Sequence, residues 1–298
     1  MSYSVGDNMA YPYVISHSRI NLYISIVNVD DLHIHEEIIP EALSRLVQSI
    51  KRDKLLKHPV IVDEKSLVVL DGMHRVAAMK QLGYKRIPVC LVDYENPAIS
   101  LNAWYRTIRG TDAFDRAISE AKKANLSVIE AEEIDVADIG VCPTVAAIKG
   151  HEKAFLVCSS FQSLQEAYDI IKQIENRLKG FSLEIGHETE GDALRKLEEK
   201  EVDVAILTPK LTKSSVKNAA LSGRVFAFKS TRHVIPARPM YLNIPLSLLR
   251  SDEKSLDELN IELKRILDQR RLAHMPAGSI LDGRRYEEEL YLFADPTG

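Results

Sequence analysis

The stretch Ser66-Leu67-Val68-Val69-Leu70-Asp71-Gly72-Met73-His74-Arg75 limits the possible folds of this chain more than any other. An apolar run of strand length stops at a glycine. Helical spacing then begins at once, with Val76, Ala77, Ala78, Met79 and Leu82 leading to a terminating Gly83. A strand that becomes a helix without a linker belongs to an α/β layer, and free helix N–H groups and the helix dipole meet at such a turn. Gly72 lets backbone approach a ligand and Arg75 adds a fork-shaped donor, so the junction reads as a phosphate cradle. Asp71 reads as a Mg²⁺ ligand or as a group that orients a nucleophile. A plain glycine turn with Arg75 in a surface ion pair fits the same residues.

The flanking pattern extends this layer. Residues 20–29 alternate apolar and polar, which predicts a half-buried strand. Pro40 opens an amphipathic helix over 40–52 that carries Leu43, Leu46, Val47 and Ile50. Two apolar runs, 59–63 and 66–71, flank Glu64-Lys65 as a tight strand connection, and 87–91 gives a further strand. His35-Glu36-Glu37 falls on the connection before the first helix. Adjacent side chains diverge, so at most one of the two acids enters a site, and acids there also complement the helix dipole.

Beyond Tyr94 come a short aromatic stretch, Trp104-Tyr105, and a helix over 112–124. Paired strands at 145–148 and 154–157 follow, around Lys149-Gly150. Helices over 163–178, 191–200 and 212–221 alternate with strands at 182–185 and 202–207, making a second α/β region. A last helix spans 254–269, and 277–298 reads as a tail without assigned structure. Tyr286, the acids 287–289 and Leu290 suit a packing element, a dimer element or a solvated end. The domain expectation is an extension at 1–19, a first domain at 20–108, a second at 109–250, and a C-terminal helix and tail at 251–298. The third motif is Ser230-Thr231-Arg232-His233-Val234-Ile235-Pro236, with the hydroxyl and guanidinium donors that a small zwitterion's carboxylate needs. Solvated charges at a strand end are the plainer reading of it.

Composition narrows the partners. Lys plus Arg number 39 against 43 Asp plus Glu, a net charge of −4, so nothing in the bulk charge attracts nucleic acid or anionic lipid. Three cysteines, Cys90, Cys142 and Cys158, with no CxxC spacing, argue against a disulfide framework and a zinc ribbon and for a reducing cytosol. No run approaches the ~20 apolar residues of a membrane span, and the first residues lack a signal-peptide pattern. The expected location is the cytoplasm.

Taken in order, these segments resemble the free L-serine kinases of the ParB/sulfiredoxin-like superfamily, which include the archaeal SerK enzymes and the bacterial SbnI branch. The likeness runs over 27–239. It rests on His35-Glu36 before the helix, on Asp71-Gly72-Met73-His74-Arg75 where the archaeal kinases carry Asp-Gly-His-His-Arg, and on Gly83 with Ile87-Pro88 after it. Trp104-Tyr105 and Thr231-Arg232-His233-Val234 with Pro236 complete it. The resemblance implies an α/β fold with a ParB/sulfiredoxin-like N-terminal domain, a second α/β domain and an active-site cleft between them. It implies phosphorylation of free L-serine to O-phospho-L-serine with ATP or ADP as donor, with a lean to ATP, and with Mg²⁺. Glu36 is then the general base and Asp71 the support for metal or nucleophile. Gly72, Met73, His74 and Arg75 are nucleotide and phosphate contacts, while Trp104, Thr231, Arg232 and His233 shape the amino-acid pocket. Glu37 faces solvent. The product suits a route from serine to cysteine.

Two rivals share the strand-turn-helix order. Sulfiredoxin needs a reactive cysteine in the loop, where this chain has Met73, and Cys90 falls in a strand as a small core hydrophobe. A ParB-like nucleotide-binding protein, DNA-associated or a regulatory switch without turnover, is the alternative function. It would call for a DNA-reading domain, yet 111–222 shows no helix-turn-helix with a basic recognition helix.

Overall fold

The computed structural model describes residues 13–250 and 253–295, leaving most of the expected 1–19 extension and the ends of the C-terminal segment outside the described residues. The chain divides into two compact units. One holds the described residues up to Ser100 together with Lys217–Gly223 and the chain from His233 onward; the other holds Leu101–Val216 and Arg224–Arg232. Contacts therefore group the chain differently from the consecutive segments 20–108, 109–250 and 251–298.

The first unit is built on a five-stranded sheet in the order Tyr13–Ser16, Asn21–Asn28, Arg86–Val92, Val60–Asp63, Val69–Asp71. Neighbours are antiparallel except Val60–Asp63 and Arg86–Val92, which run parallel. A parallel pair needs a crossover, and residues 64–85 supply it with the Val69–Asp71 strand and helix α2, Met73–Gln81. The central strand is buried from Ile87 to Val92, and Cys90 lies within it at 0% exposure, as expected of a core hydrophobe. Helix α1, Pro40–Asp53, starts with proline in its first turn, buries Val47 and Ile50 and packs against α2. Gly83, with φ +76, follows α2 as the periodicity predicts.

The Asn21–Asn28 strand has no strand neighbour beside Ile26 on its outer side among the described residues. The helix Leu256–Asp268 fills that place. Its Asn260 carboxamide accepts from the Ile26 N–H at 2.6 Å and donates to the Ile26 carbonyl at 3.1 Å, doing for one residue what another strand would do. Ser255 and Glu258 form a capping box at the start of this helix. Beyond it the chain builds a small sheet in which Glu289–Ala294 lies between Ala237–Met240, parallel, and Arg271–Met275, antiparallel. Tyr286 and Leu290 are buried against Met240, so the stretch read from sequence as a tail contains a packing element of this unit.

The second unit is a six-stranded sheet, antiparallel throughout, in the order Glu184–Thr189, Trp104–Arg109, Val204–Leu207, Thr144–Lys149, Ala154–Cys158, Ser127–Ala131. The helices Ala113–Lys123, Leu164–Leu178 and Glu190–Glu198 pack on its strands. The aromatic pair Trp104-Tyr105 opens a strand, and the strand expected at 182–185 sits later, at Glu184–Thr189, in register with it. No helix among the described residues is long and apolar enough to cross a membrane.

The Asn260 contact carries a stability test. Asn260→Ala leaves the buried Ile26 amide and carbonyl without their partners, which costs about 1–3 kcal/mol. The expected result is a lower urea midpoint with an unchanged m value; an unchanged midpoint would show that the edge is satisfied without Asn260.

Candidate active site

The connection before α1 is laid against the strand that ends at Asp71. His33 bridges Val68 in parallel, through the His33 amide to the Leu67 carbonyl at 3.1 Å and the Val69 amide to the His33 carbonyl at 2.9 Å. His35, fully buried, donates through Nδ1 to the Val69 carbonyl at 2.8 Å. Burial holds its imidazole below the usual pKa against the opposing pull of Glu36 and that carbonyl, so the ring is neutral at pH 7. Farther on, the Ile39 amide donates to His74 Nε2 at 3.0 Å. The connection is thus tied down on both sides of Glu36, which is 4% exposed. Glu37 is half-buried rather than solvent-facing.

At the junction itself, Gly72 has φ +102, a conformation that L side chains rarely adopt. A Cβ built there would lie 2.6 Å from both Nε and Nη2 of Arg75, because that guanidinium folds back over the glycine. The backbone conformation favours glycine here, and a side chain would in addition make the Arg75 guanidinium move. Arg75 Nη2 donates to Asp71 Oδ2 at 2.8 Å. Met73 is the first residue of α2 and is half-buried. His74 accepts at Nε2, which leaves the ring proton of the neutral imidazole on Nδ1.

His233 joins this group. Its ring meets that of His35 edge to face at 5.3 Å, and its Nε2 lies 2.7 Å from the Tyr94 hydroxyl. Burial raises the Tyr94 pKa, with Asp63 and Glu95 adding to the effect, so the phenol keeps its proton. Sequence reasoning passed over Tyr94, and also His58, Arg238 and Glu288. Burial and the charge of Arg75 push the His58 imidazole down to about 4, and its Nδ1 accepts from the Tyr241 amide at 3.1 Å. Arg238 Nη1 donates to the same Asp71 Oδ2 at 2.8 Å, while its Nε is ion-paired with Glu288. A lone arginine in the otherwise apolar strand Ala237–Met240 was the one available pointer, since a buried guanidinium needs an acid.

The remaining expected residues lie in the second unit. The Trp104 indole N–H donates to the Thr231 carbonyl at 2.8 Å, the Lys229 ammonium stands 4.1 Å from the centre of the Trp104 ring, and the Arg232 guanidinium stands 5.7 Å from it. Thr231 is buried and Arg232 half-buried. This corner is held from below by Arg106, which is 1% exposed. It donates to the carbonyls of Trp104 at 2.7 Å, Lys229 at 3.1 Å and Phe228 at 3.3 Å, and pairs with Glu175 at 3.4 Å. Burial alone would raise the Glu175 pKa, but His187 beside it at 3.5 Å, the charge of Arg106 and the hydrogen bond from Lys179 bring it down to about 2. The structure thus gathers Glu36, Asp71, Gly72, Met73, His74, Arg75 and His233 in one unit, and Trp104, Thr231 and Arg232 in the other.

Residues 16–103 match the ParB N-terminal domain. An ATP-dependent L-serine kinase of Staphylothermus marinus is 31% identical over 234 residues, which take in 76% of this chain and 90% of that protein. The ADP-dependent L-serine kinase SerK of Thermococcus kodakarensis is 24% identical over 228 residues, 75% of this chain and 91% of its own. Among solved structures, a free serine kinase in complex with AMP has a TM-score of 0.66 at 24% identity, covering 76% of this chain and 93% of that one. SbnI of Staphylococcus aureus with a C-terminal truncation has a TM-score of 0.64 at 20% identity, covering 82% and 95%. These two share its fold.

The Glu175 pair gives a prediction with a definite sign. A carboxyl lowered to about 2 in the folded protein adds stability that is fully present above its ordinary value near 4.5 and is lost as pH falls toward 2. Glu175→Gln should therefore lower the urea midpoint at pH 6, and the gap to the wild-type chain should close as the pH drops from 4.5 toward 2. A gap of equal size at pH 6 and pH 3 would mean that the charge of Glu175 contributes nothing.

Proposed function

The chain belongs to the free L-serine kinase family, and from that membership we propose that it transfers a phosphoryl group from an adenine nucleotide to the hydroxyl of free L-serine, giving O-phospho-L-serine. One observation carries the reading: a buried carboxylate, Glu36, lies on a connection whose His33 and His35 are hydrogen-bonded to the segment that opens through Gly72 into the helix bearing Arg75. Phosphoryl transfer asks for in-line positioning, charge neutralisation and a carboxylate to take the nucleophile's proton. A serine hydroxyl is too weak an acid to ionise beforehand, so its proton passes to Glu36 late, as the bond to phosphorus forms.

The start of α2, with Gly72, Met73, His74 through Nδ1, and Arg75, receives the donor's phosphates. Met73 stands where the archaeal loop has histidine, so this chain meets the phosphates with one imidazole fewer. Trp104, Thr231, Arg232 and His233 are assigned to the amino acid, with Arg232 able to clamp a carboxylate bidentately. The donor is taken to be ATP, as in the Staphylothermus relative, with ADP the alternative that the Thermococcus relative uses. The reaction belongs in the cytoplasm, where free serine and nucleotide are both at hand.

Magnesium was expected on Asp71. Among the described residues no three His, Cys, Asp or Glu side chains gather as a metal group, and Asp71 Oδ2 already accepts from two guanidinium groups. Mg²⁺ needs no such group, since it keeps several waters and takes one or two carboxylates beside substrate phosphates, so Asp71 stays the assigned ligand. The ion is taken to enter with the nucleotide phosphates, and the protein's own neutralising charge on them is Arg75.

The deciding assay offers purified protein L-serine and Mg²⁺ with ATP or ADP separately and detects O-phosphoserine by phosphorus NMR. Product is expected with at least one donor; nucleotide binding without product from either would overturn the kinase reading in favour of a ParB-like nucleotide switch. Glu36→Gln should cut turnover by ~10² or more while nucleotide affinity stays near wild type. Undiminished turnover in that variant would remove Glu36 from the chemistry.

A further inference from the structure

The charges at the junction extend past Arg75 into the C-terminal sheet. Glu288, Arg238, Asp71 and Arg75 are linked in that order as alternating acid and base, with 2.8 Å between Arg238 Nη1 and Asp71 Oδ2 and 2.8 Å between Arg75 Nη2 and the same oxygen. Arg238 and Glu288 are each 9% exposed, so both charges are largely out of water and depend on these partners. Asp71 and Arg75 lie at the surface end, with Asp71 44% exposed at its side chain and Arg75 folded over Gly72.

This order has a consequence for a phosphate arriving at α2. An Asp71 carboxylate next to the phosphates repels them and competes with them for Arg75. With Arg238 on its Oδ2, Asp71 stays neutralised when Arg75 turns away, and Glu288 in turn keeps Arg238 in place. Resting on the kinase reading, we propose that Arg238, held by Glu288, is a positioning residue of the phosphoryl-donor site, carrying the charge of Asp71 so that Arg75 can serve the donor's phosphates. Arg238 acts through Asp71 and Arg75, and Glu288 acts through Arg238. A mere staple between the C-terminal sheet and the strand end would stabilise the fold but leave nucleotide affinity alone.

Full-length Arg238→Gln, Arg238→Lys and Glu288→Gln separate the two roles. Nucleotide Kd is read by calorimetry with ATP and with ADP in the absence of serine, KM for both substrates by turnover, and folding by thermal unfolding. Arg238→Gln is expected to raise the nucleotide Kd by about tenfold or more, the weight of one charged hydrogen-bond partner. The serine KM should stay within about twofold. Arg238→Lys should recover part of the affinity, because it restores the charge without the fork, and Glu288→Gln should raise the nucleotide Kd as well. Should Arg238→Gln fail to fold, the other two variants decide: wild-type nucleotide Kd in both, with only a lower Tm, overturns the proposal. So does an equal rise in the KM of both substrates. Wild-type turnover is measured alongside. If the wild-type protein makes no O-phosphoserine while the variants still lose nucleotide, the kinase reading fails and the positioning role stands. If it makes product and the variants bind nucleotide normally, the reverse holds.

Discussion

Asp71 Oδ2 accepts from two guanidinium groups at the last residue of a strand, and Gly72 follows it in a left-handed conformation that starts a helix. Much else in the first unit is arranged around that oxygen. Arg75 folds over Gly72 to reach it, and Arg238 is ion-paired with Glu288, just ahead of the strand Glu289–Ala294. The His35-Glu36 connection is registered to the same strand by backbone bonds at His33 and by the imidazole of His35.

The two units solve a shared problem by different means. Each must place a polar group deep in a structure whose core is apolar, and each does so by surrounding a buried arginine with fixed acceptors. Arg238 has two carboxylates, whereas Arg106 has one carboxylate and three main-chain carbonyls. The second solution ties down chain as well as charge, since the carbonyls of Phe228 and Lys229 lead directly into Thr231 and Arg232. The first ties charge to charge, which suits a place where one member has to exchange partners.

Much of the layer order was legible because periodicity reports burial directly. The alternation over 20–29, the apolar run ending at Asp71 and the spacing that opens α1 at Pro40 each correspond to an element. Short edge pieces escaped for the opposite reason. Tyr13–Ser16 and Ser127–Ala131 have too few inward residues to show a period, and Glu289–Ala294, the middle strand of its sheet, is completed by Ala237–Met240 from some fifty residues earlier and by Arg271–Met275. The serine-kinase resemblance was carried by local motifs, and the related proteins bear it out at the level of the family.

Local chemistry in the sequence determined which residues had to be special. Glycine was required where a strand turns straight into a helix, a carboxylate stood before α1, and a hydroxyl and a guanidinium stood before a proline. What only the tertiary structure decided was the partnership. His74 turns one nitrogen to the Ile39 amide, His233 meets His35 and Tyr94, and Asp71 pairs with Arg238. Distances of a few ångströms between residues from about 35 to nearly 200 positions apart leave no trace in spacing or periodicity, because they are fixed by the packing of elements that come together only when the chain folds.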